Sequence, residues 1–273
     1  MTSELDWLLN EIKDEIHTSV LTGLEECQER LCQRHSGFKL VVSTPKSDAL
    51  IGIVTRYGTE LTECDLTVKL NTVNRGQPFT LRFKSHKSFS LLQTVDTVNL
   101  ISEIVDGLTE RLKPSTQQHT TRGGELLLQQ MQISLSLIRE ALLRLDEPPS
   151  SSVYPLHATD INLFEELPAG LAVDFYTKDS SVLTDIRSIR DTEEMSNPLG
   201  TLTSVFGTKR KASKTVFYGT KSVCELERVT VASQDPNLIS LASKLTAVEK
   251  QLEIMKRKLE LCLQVTREEE RVP

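Results

Sequence analysis

Between Leu238 and Cys262 apolar residues recur at alternating steps of three and four: Leu238, Leu241, Leu245, Val248, Leu252, Met255, Leu259 and Cys262, with Lys, Glu, Arg and Gln between them. On a helix this spacing draws one narrow apolar stripe, which leaves water only by lying against another helix. Asp235 followed by Pro236 supplies an N-cap residue and a proline at the first helical position. The stripe therefore constrains the whole chain, because something must cover it.

Three other segments carry matching stripes. Leu5, Leu9, Ile12, Ile16, Val20, Leu24, Cys27 and Leu31 predict a helix from about Glu4 to Gln33, with Ser3 and Asp6 placed like a capping box. Leu92, Val95, Val98, Ser102, Val105, Leu108 and Leu112 predict a second, flanked by Leu91, Leu100, Ile101 and Ile104 and ended by Lys113-Pro114. Leu128, Met131, Leu135, Ile138, Leu142 and Leu145 predict a third, stopped by Glu147-Pro148-Pro149. Arg122-Gly123-Gly124-Glu125, ahead of it, reads as a hinge.

Elsewhere the period is two. Leu40 and Val42, Leu50 to Val54, Leu66 to Leu70 and Phe79 to Phe83 alternate with polar residues across turn-rich breaks, an antiparallel meander of four strands. After a Pro/Ser linker at Pro148 to Ser152, Ile161 to Leu167 suggests a short helix. Strand-like alternation returns at Leu171 to Phe175, Leu202 to Phe206, Thr215 to Tyr218 and Val223 to Val231.

The expected fold is α+β: an elongated antiparallel four-helix bundle built from both chain ends plus a separate antiparallel β domain. The bundle would take residues 1-36, 88-147 and 235-273, and the β domain 37-87 and 153-234. Its expected core is Leu5, Leu9, Ile12 and Ile16; Leu128, Met131, Leu135, Ile138 and Leu142; and Leu238, Leu241, Leu245, Val248, Leu252, Met255 and Leu259. Packing within one chain is favoured over dimerisation, since closing a loop costs less than losing translational freedom.

No catalytic, cofactor-binding or metal site is expected. The five histidines, His17, His35, His86, His119 and His157, stand singly, with no metal-ligand spacing. The five cysteines, Cys27, Cys32, Cys64, Cys224 and Cys262, lack paired spacings and read as reduced, buried small hydrophobes. Glu25-Glu26, Glu165-Glu166 and Glu193-Glu194 are adjacent, so on a helix they diverge by about 100° and share no substrate. A net charge of -6 argues against nucleic-acid binding. The acidic start and the lack of an apolar run of about 18 residues predict neither a signal peptide nor a spanning helix. Lys209 to Lys214 forms the one basic cluster, read as a loop tip, with a nuclear-import signal as the alternative.

The segments Glu4-Leu5-Asp6-Trp7-Leu8-Leu9, Leu61 to Leu70, Phe79-Thr80-Leu81-Arg82-Phe83, Leu91-Leu92-Gln93 and Leu167 to Val173, in that order, resemble the Rogdi family, the small subunit of RAVE-type complexes. The resemblance implies a non-enzymatic assembly factor, a monomeric subunit of a hetero-complex. Its partners would be a large subunit carrying WD-repeat propellers and the subunits of the vacuolar-type proton ATPase, whose soluble and membrane sectors it helps to join. It implies a cytoplasmic protein, peripheral to vacuolar, endosomal or lysosomal membranes, that meets membrane only indirectly. The strand-rich domain, through its edge strands, and the bundle end would present the surface for the propeller partner. The rival reading is a homodimeric, leucine-zipper-like coiled-coil adaptor with a nuclear pool.

Overall fold

The computed structural model describes residues 2–32, 37–44, 48–113, 121–192 and 215–269. Two compact units divide the chain: a helical unit of residues 1–33, 94–146 and 236–273, and a β unit of residues 34–93 and 147–235. The divisions fall at 93/94, inside a helix, and at 146/147, so Leu91 to Gln93 and the 148–152 linker side with the strands. The fold is α+β, with four long helices and two antiparallel sheets among the described residues.

In the helical unit, α1 (Thr2–Glu15) and α2 (Thr22–Cys32) form one continuous helix through a π-helical stretch, Ile16–Leu21. The buried row runs Leu5, Leu9, Ile12, Ile16, Val20, Leu24, Cys27, Leu31. Successive four-residue steps from Ile12 to Leu24 would drift about 40° each around an α-helix, and the wider π turns absorb that drift. Thr22 Oγ1 accordingly donates to the carbonyl of His17, five residues back, at 3.5 Å.

The other helices are α3 (Leu92–Leu112), α4 (Thr121–Asp146) and α5 (Pro236–Glu269). Leu238, Leu241, Leu245, Val248, Leu252, Met255 and Leu259 are all buried on α5. This helix runs antiparallel to α1–α2, with Arg30 donating to Ser240 at 2.7 Å, Lys244 paired with Glu26, and Ser19 donating to Gln251 at 2.9 Å. It is antiparallel to α4 as well: Arg139 pairs with Glu249 at 2.6 Å, and Arg267 with Glu125. Gln28 on α2 donates to Ser102 on α3 at 2.7 Å.

Three stripes differ from expectation by one residue. On α4 the buried row holds Gly124, Leu127, Met131, Ser134, Leu135, Ile138, Ala141 and Leu145, while Leu128 and Leu142 are half-buried. On α3 it holds Thr94, Thr97, Ile101, Ile104 and Leu108, and Leu92 is exposed. On α5 the last rung is Leu263, not Cys262, because a 3.6-residue turn gains on a heptad. Small side chains on α4 let α5 come close: a Cβ added at Gly124 would lie 3.0 Å from Leu263 Cδ2. The Arg122 to Glu125 segment is not a hinge; it belongs to the opening turns of α4.

In the β unit, β1 (Phe38–Ser43), β2 (Leu50–Tyr57), β3 (Glu60–Val68) and β4 (Phe79–Arg82) make an antiparallel meander. A fifth strand, β5 (Phe89–Ser90), pairs with β3 on the edge that β4 also uses, since β2 occupies the other. Leu40, Val42, Leu50, Val54, Leu61, Cys64, Leu66, Val68 and Leu81 are buried.

The second sheet orders β6 (Leu171–Lys178), β7 (Ser181–Asp191), β9 (Lys221–Gln234) and β8 (Thr215–Tyr218), all antiparallel. Asp179 (φ 49°) and Ser180 (φ 56°) close the β6–β7 hairpin with the two left-handed residues a type I′ turn requires. The sequence pattern lacks β7, whose buried positions include Thr184, Asp185 and Ser188, so its alternation is polar on both faces. The expected helix at Ile161 to Leu167 is a single 3-10 turn, Ile161–Leu163. The expected strand at Leu202 to Phe206, the basic run Lys209 to Lys214, His35 and His119 lie outside the described residues.

Candidate interaction surfaces

The buried charged groups of the β unit, Arg56, Asp174, Asp185 and Asp235, all have polar partners within it. On β7, Asp185 accepts from Arg228 Nε and Nη2 at 2.9 and 2.8 Å, from Arg187 at 2.7 Å and from Thr230 at 2.9 Å. Burial would push this carboxyl up, but the hydrogen bonds from Arg228 and Arg187 more than offset it and hold Asp185 below the usual carboxylate range. Arg187 also pairs with Glu225 at 3.2 Å and lies 4.3 Å from the Tyr154 ring centroid. A carboxylate held by two guanidinium groups crosslinks strands; it is not free to take a proton from a substrate.

Asp174 on β6 accepts the Tyr154 N–H at 2.9 Å, and its second oxygen lies 3.5 Å from His157 Nδ1. Burial raises its pKa. His157 is half-exposed at a cleft of about 240 Å³ shared with Phe89, Phe175 and Ser152, whose hydroxyl donates to the Pro149 carbonyl. His17 and His86 are exposed. Among the described residues no cluster of three or more His, Cys, Asp or Glu could hold a metal ion, and no helix is long and apolar enough to cross a membrane.

The cysteines divide by environment. Cys27, Cys64 and Cys224 are buried; burial pushes the Cys27 thiol up to about 11, and Cys64 is raised further. Such thiols stay protonated and unreactive. Cys32 is exposed and Cys262 half-buried, so the expectation of five buried cysteines fails at these two.

Three of the sheet edges, those of β6, β4 and β1, are also engaged. Along the outer edge of β6, the Thr159 hydroxyl accepts from the Val173 N–H at 2.7 Å and donates to its carbonyl at 3.1 Å. Four residues on, the Gln93 amide accepts from the Thr177 N–H at 2.6 Å and donates to its carbonyl at 2.9 Å. Beyond β4, the Glu165 N–H donates to the Arg82 carbonyl and the Lys84 N–H to the Leu163 carbonyl, each at 2.9 Å. Beside β1, Ser233 on β9 donates to the Val41 carbonyl at 2.8 Å. Side chains and loops thus occupy positions where another strand would add, the usual protection against edge pairing.

Two faces carry exposed apolar rows instead. On the first sheet Val41 opposes Ile53, with Ile51 two residues along and opposite Ser43; the three are 68%, 43% and 44% exposed. Across the same face Asp65, opposite Ile53, pairs with Arg82 at 3.1 Å. On α5, Ile254, Leu261 and Val265 point away from the buried row. Trp7 is exposed on α1.

A family model for Rogdi leucine zipper containing protein matches residues 4–214 and 204–260. The chain belongs to this family. It is 25% identical over 185 residues to "Protein rogdi homolog" of Danio rerio, covering 64% of this chain and 63% of that protein. The aligned part is therefore less than two thirds of the relative's length. The leucine-rich ladder on α5 is buried here against α1–α2 and α4.

Proposed function

We propose that this chain is a non-enzymatic subunit of a RAVE-type assembly factor that promotes joining of the soluble and membrane sectors of the vacuolar-type proton ATPase. Family membership supports this reading, and the Val41–Ile51–Ile53 row carries its mechanism. In this mechanism the four helices form an antiparallel bundle, closed by both chain ends, that serves as a rigid scaffold. The sheet face presents the docking surface for a WD-repeat propeller subunit. Three adjacent β-branched side chains beside an Asp65–Arg82 pair have the makings of an interface, an apolar centre with a polar border. The protein works in the cytoplasm at vacuolar, endosomal or lysosomal membranes, reaching them through its partners, and binds no cofactor.

The test is affinity purification from native cells with the wild-type chain and with Val41→Asp/Ile53→Lys. Propeller proteins and pump subunits should co-purify with the wild type and fall at least about tenfold with the variant, whose melting temperature should hold because both side chains are exposed. Their reproducible absence from the wild-type eluate overturns the assignment, and their undiminished recovery with the variant moves the interface elsewhere. The homodimeric zipper reading needs the α5 ladder to leave its present partners.

A further inference from the structure

The outward side of α5 forms a second stripe, separate from the buried ladder. Ala247, Ile254 and Leu261 stand seven residues apart and Val265 four further on, all exposed, with Ile254 at 56%, Leu261 at 65% and Val265 at 56%. Seven residues bring a helix round to within about 20° of the same direction, so these side chains share one line about 27 Å long. Lys250, Arg257 and Lys258 are the charged residues exposed between Ser243 and Val265. The carboxylates of that stretch are half-buried and paired: Glu249 and Glu253 with Arg139, Glu253 also with Arg257, and Glu260 with Lys256.

We infer that this stripe docks an amphipathic helix of a partner protein whose apolar seam is flanked by Glu or Asp. It is about one side chain wide, with cations on both flanks where they would face the e and g positions of a partner's seam. A membrane surface calls for a broader apolar face. A second copy of this chain would set Lys250, Arg257 and Lys258 against their own kind, with no exposed carboxylate in the stretch to answer them. An acidic helix satisfies both the apolar line and the charge. This inference stands independently of the proton-pump reading.

The test uses the full chain and two synthetic four-heptad peptides with Ile and Leu at a and d, one with Glu and the other with Lys at e and g. Fluorescence anisotropy should show the acidic peptide binding at least about tenfold more tightly than the basic one, weakening with added salt. Ile254→Asp/Leu261→Asp should remove binding, and Lys250→Glu/Arg257→Glu/Lys258→Glu should reverse the preference. Circular dichroism should show both variants folded, since every altered side chain is exposed. Equal binding of the two peptides, or none, overturns the inference. So does binding to phosphatidylserine vesicles in place of the peptide, or a concentration-dependent dimer of the chain alone.

Discussion

Single residues in this protein divide into those whose role follows from their chemistry and those whose role depends on where the chain puts them. Arg56 is the clearest of the second kind. Its guanidinium is 1% exposed and bonds Asp235, itself 0% exposed, at 2.6 Å, while also donating to the Gly58 carbonyl. Asp235 therefore does more than precede Pro236 as an N-cap residue; it ties the end of β9 to β2. Arg56→Ala leaves a buried carboxylate without its cation, and urea unfolding should show a loss of about 3–5 kcal/mol. A loss under about 1 kcal/mol would show that water replaces the pair. Asp185 and Asp174 should respond to pH in opposite senses. Asp185 is depressed in the fold, so its contribution is complete above the unfolded carboxylate value near 4 and fades as pH falls through the lower folded value. Asp174 is raised, so its contribution is present below about pH 4 and fades as pH rises through its folded value. Urea midpoints from pH 3 to 8 should show Asp185→Asn much less stable at pH 7 and flatter in acid. Asp174→Asn, which keeps an acceptor for the Tyr154 N–H, should be at least as stable as wild type at pH 7. Equal losses at the two positions would contradict this account.

At the scale of elements, apolarity alone locates each long helix but misplaces the centre of two contact rows. The α4 row passes through Gly124, Ser134 and Ala141 because a close neighbour needs small side chains there, and a pattern that counts leucines slides to Leu128 and Leu142 beside it. The α3 row passes through Thr94 and Thr97 for a related reason, threonine being able to bury a methyl group. Leu127→Ala should therefore cost about 2–5 kcal/mol and Leu128→Ala clearly less, measured by thermal or urea unfolding. Equal costs would put the row back where the sequence pattern had it. The π turns of Ile16–Leu21 had a signal in the sequence, the run of four-residue steps from Ile12 to Leu24, which a straight α-helix cannot keep on one side. Strand β7 had a weaker one, the Asp179-Ser180 pair that closes its hairpin. Its buried Asp185 hid the strand, since a carboxylate reads as surface until its arginines are known.

For the molecule as a whole, the consequence of the α5 ladder is that its removal should unfold a scaffold as well as expose a surface. A chain ending at Asp235 should lose helical ellipticity well beyond the share of the 34 residues of α5, because α1–α2 and α4 lose the row they bury against. A loss limited to that share would mean the remaining helices are self-sufficient. Light scattering of the intact chain should give a monomer at all concentrations, as expected when the ladder is covered from within. Periodicity by itself determined the four helices, the two segments rich in strands and the demand that each stripe find a cover, because a side chain's direction on a helix or strand follows from local geometry. Only the tertiary structure decided which stripes meet, how the strands divide into two sheets, that Gln93 and Thr159 close the β6 edge, and which apolar rows remain exposed. Those outcomes depend on residues up to 232 positions apart, such as Ser19 and Gln251, and distance along the chain carries no record of contact in space.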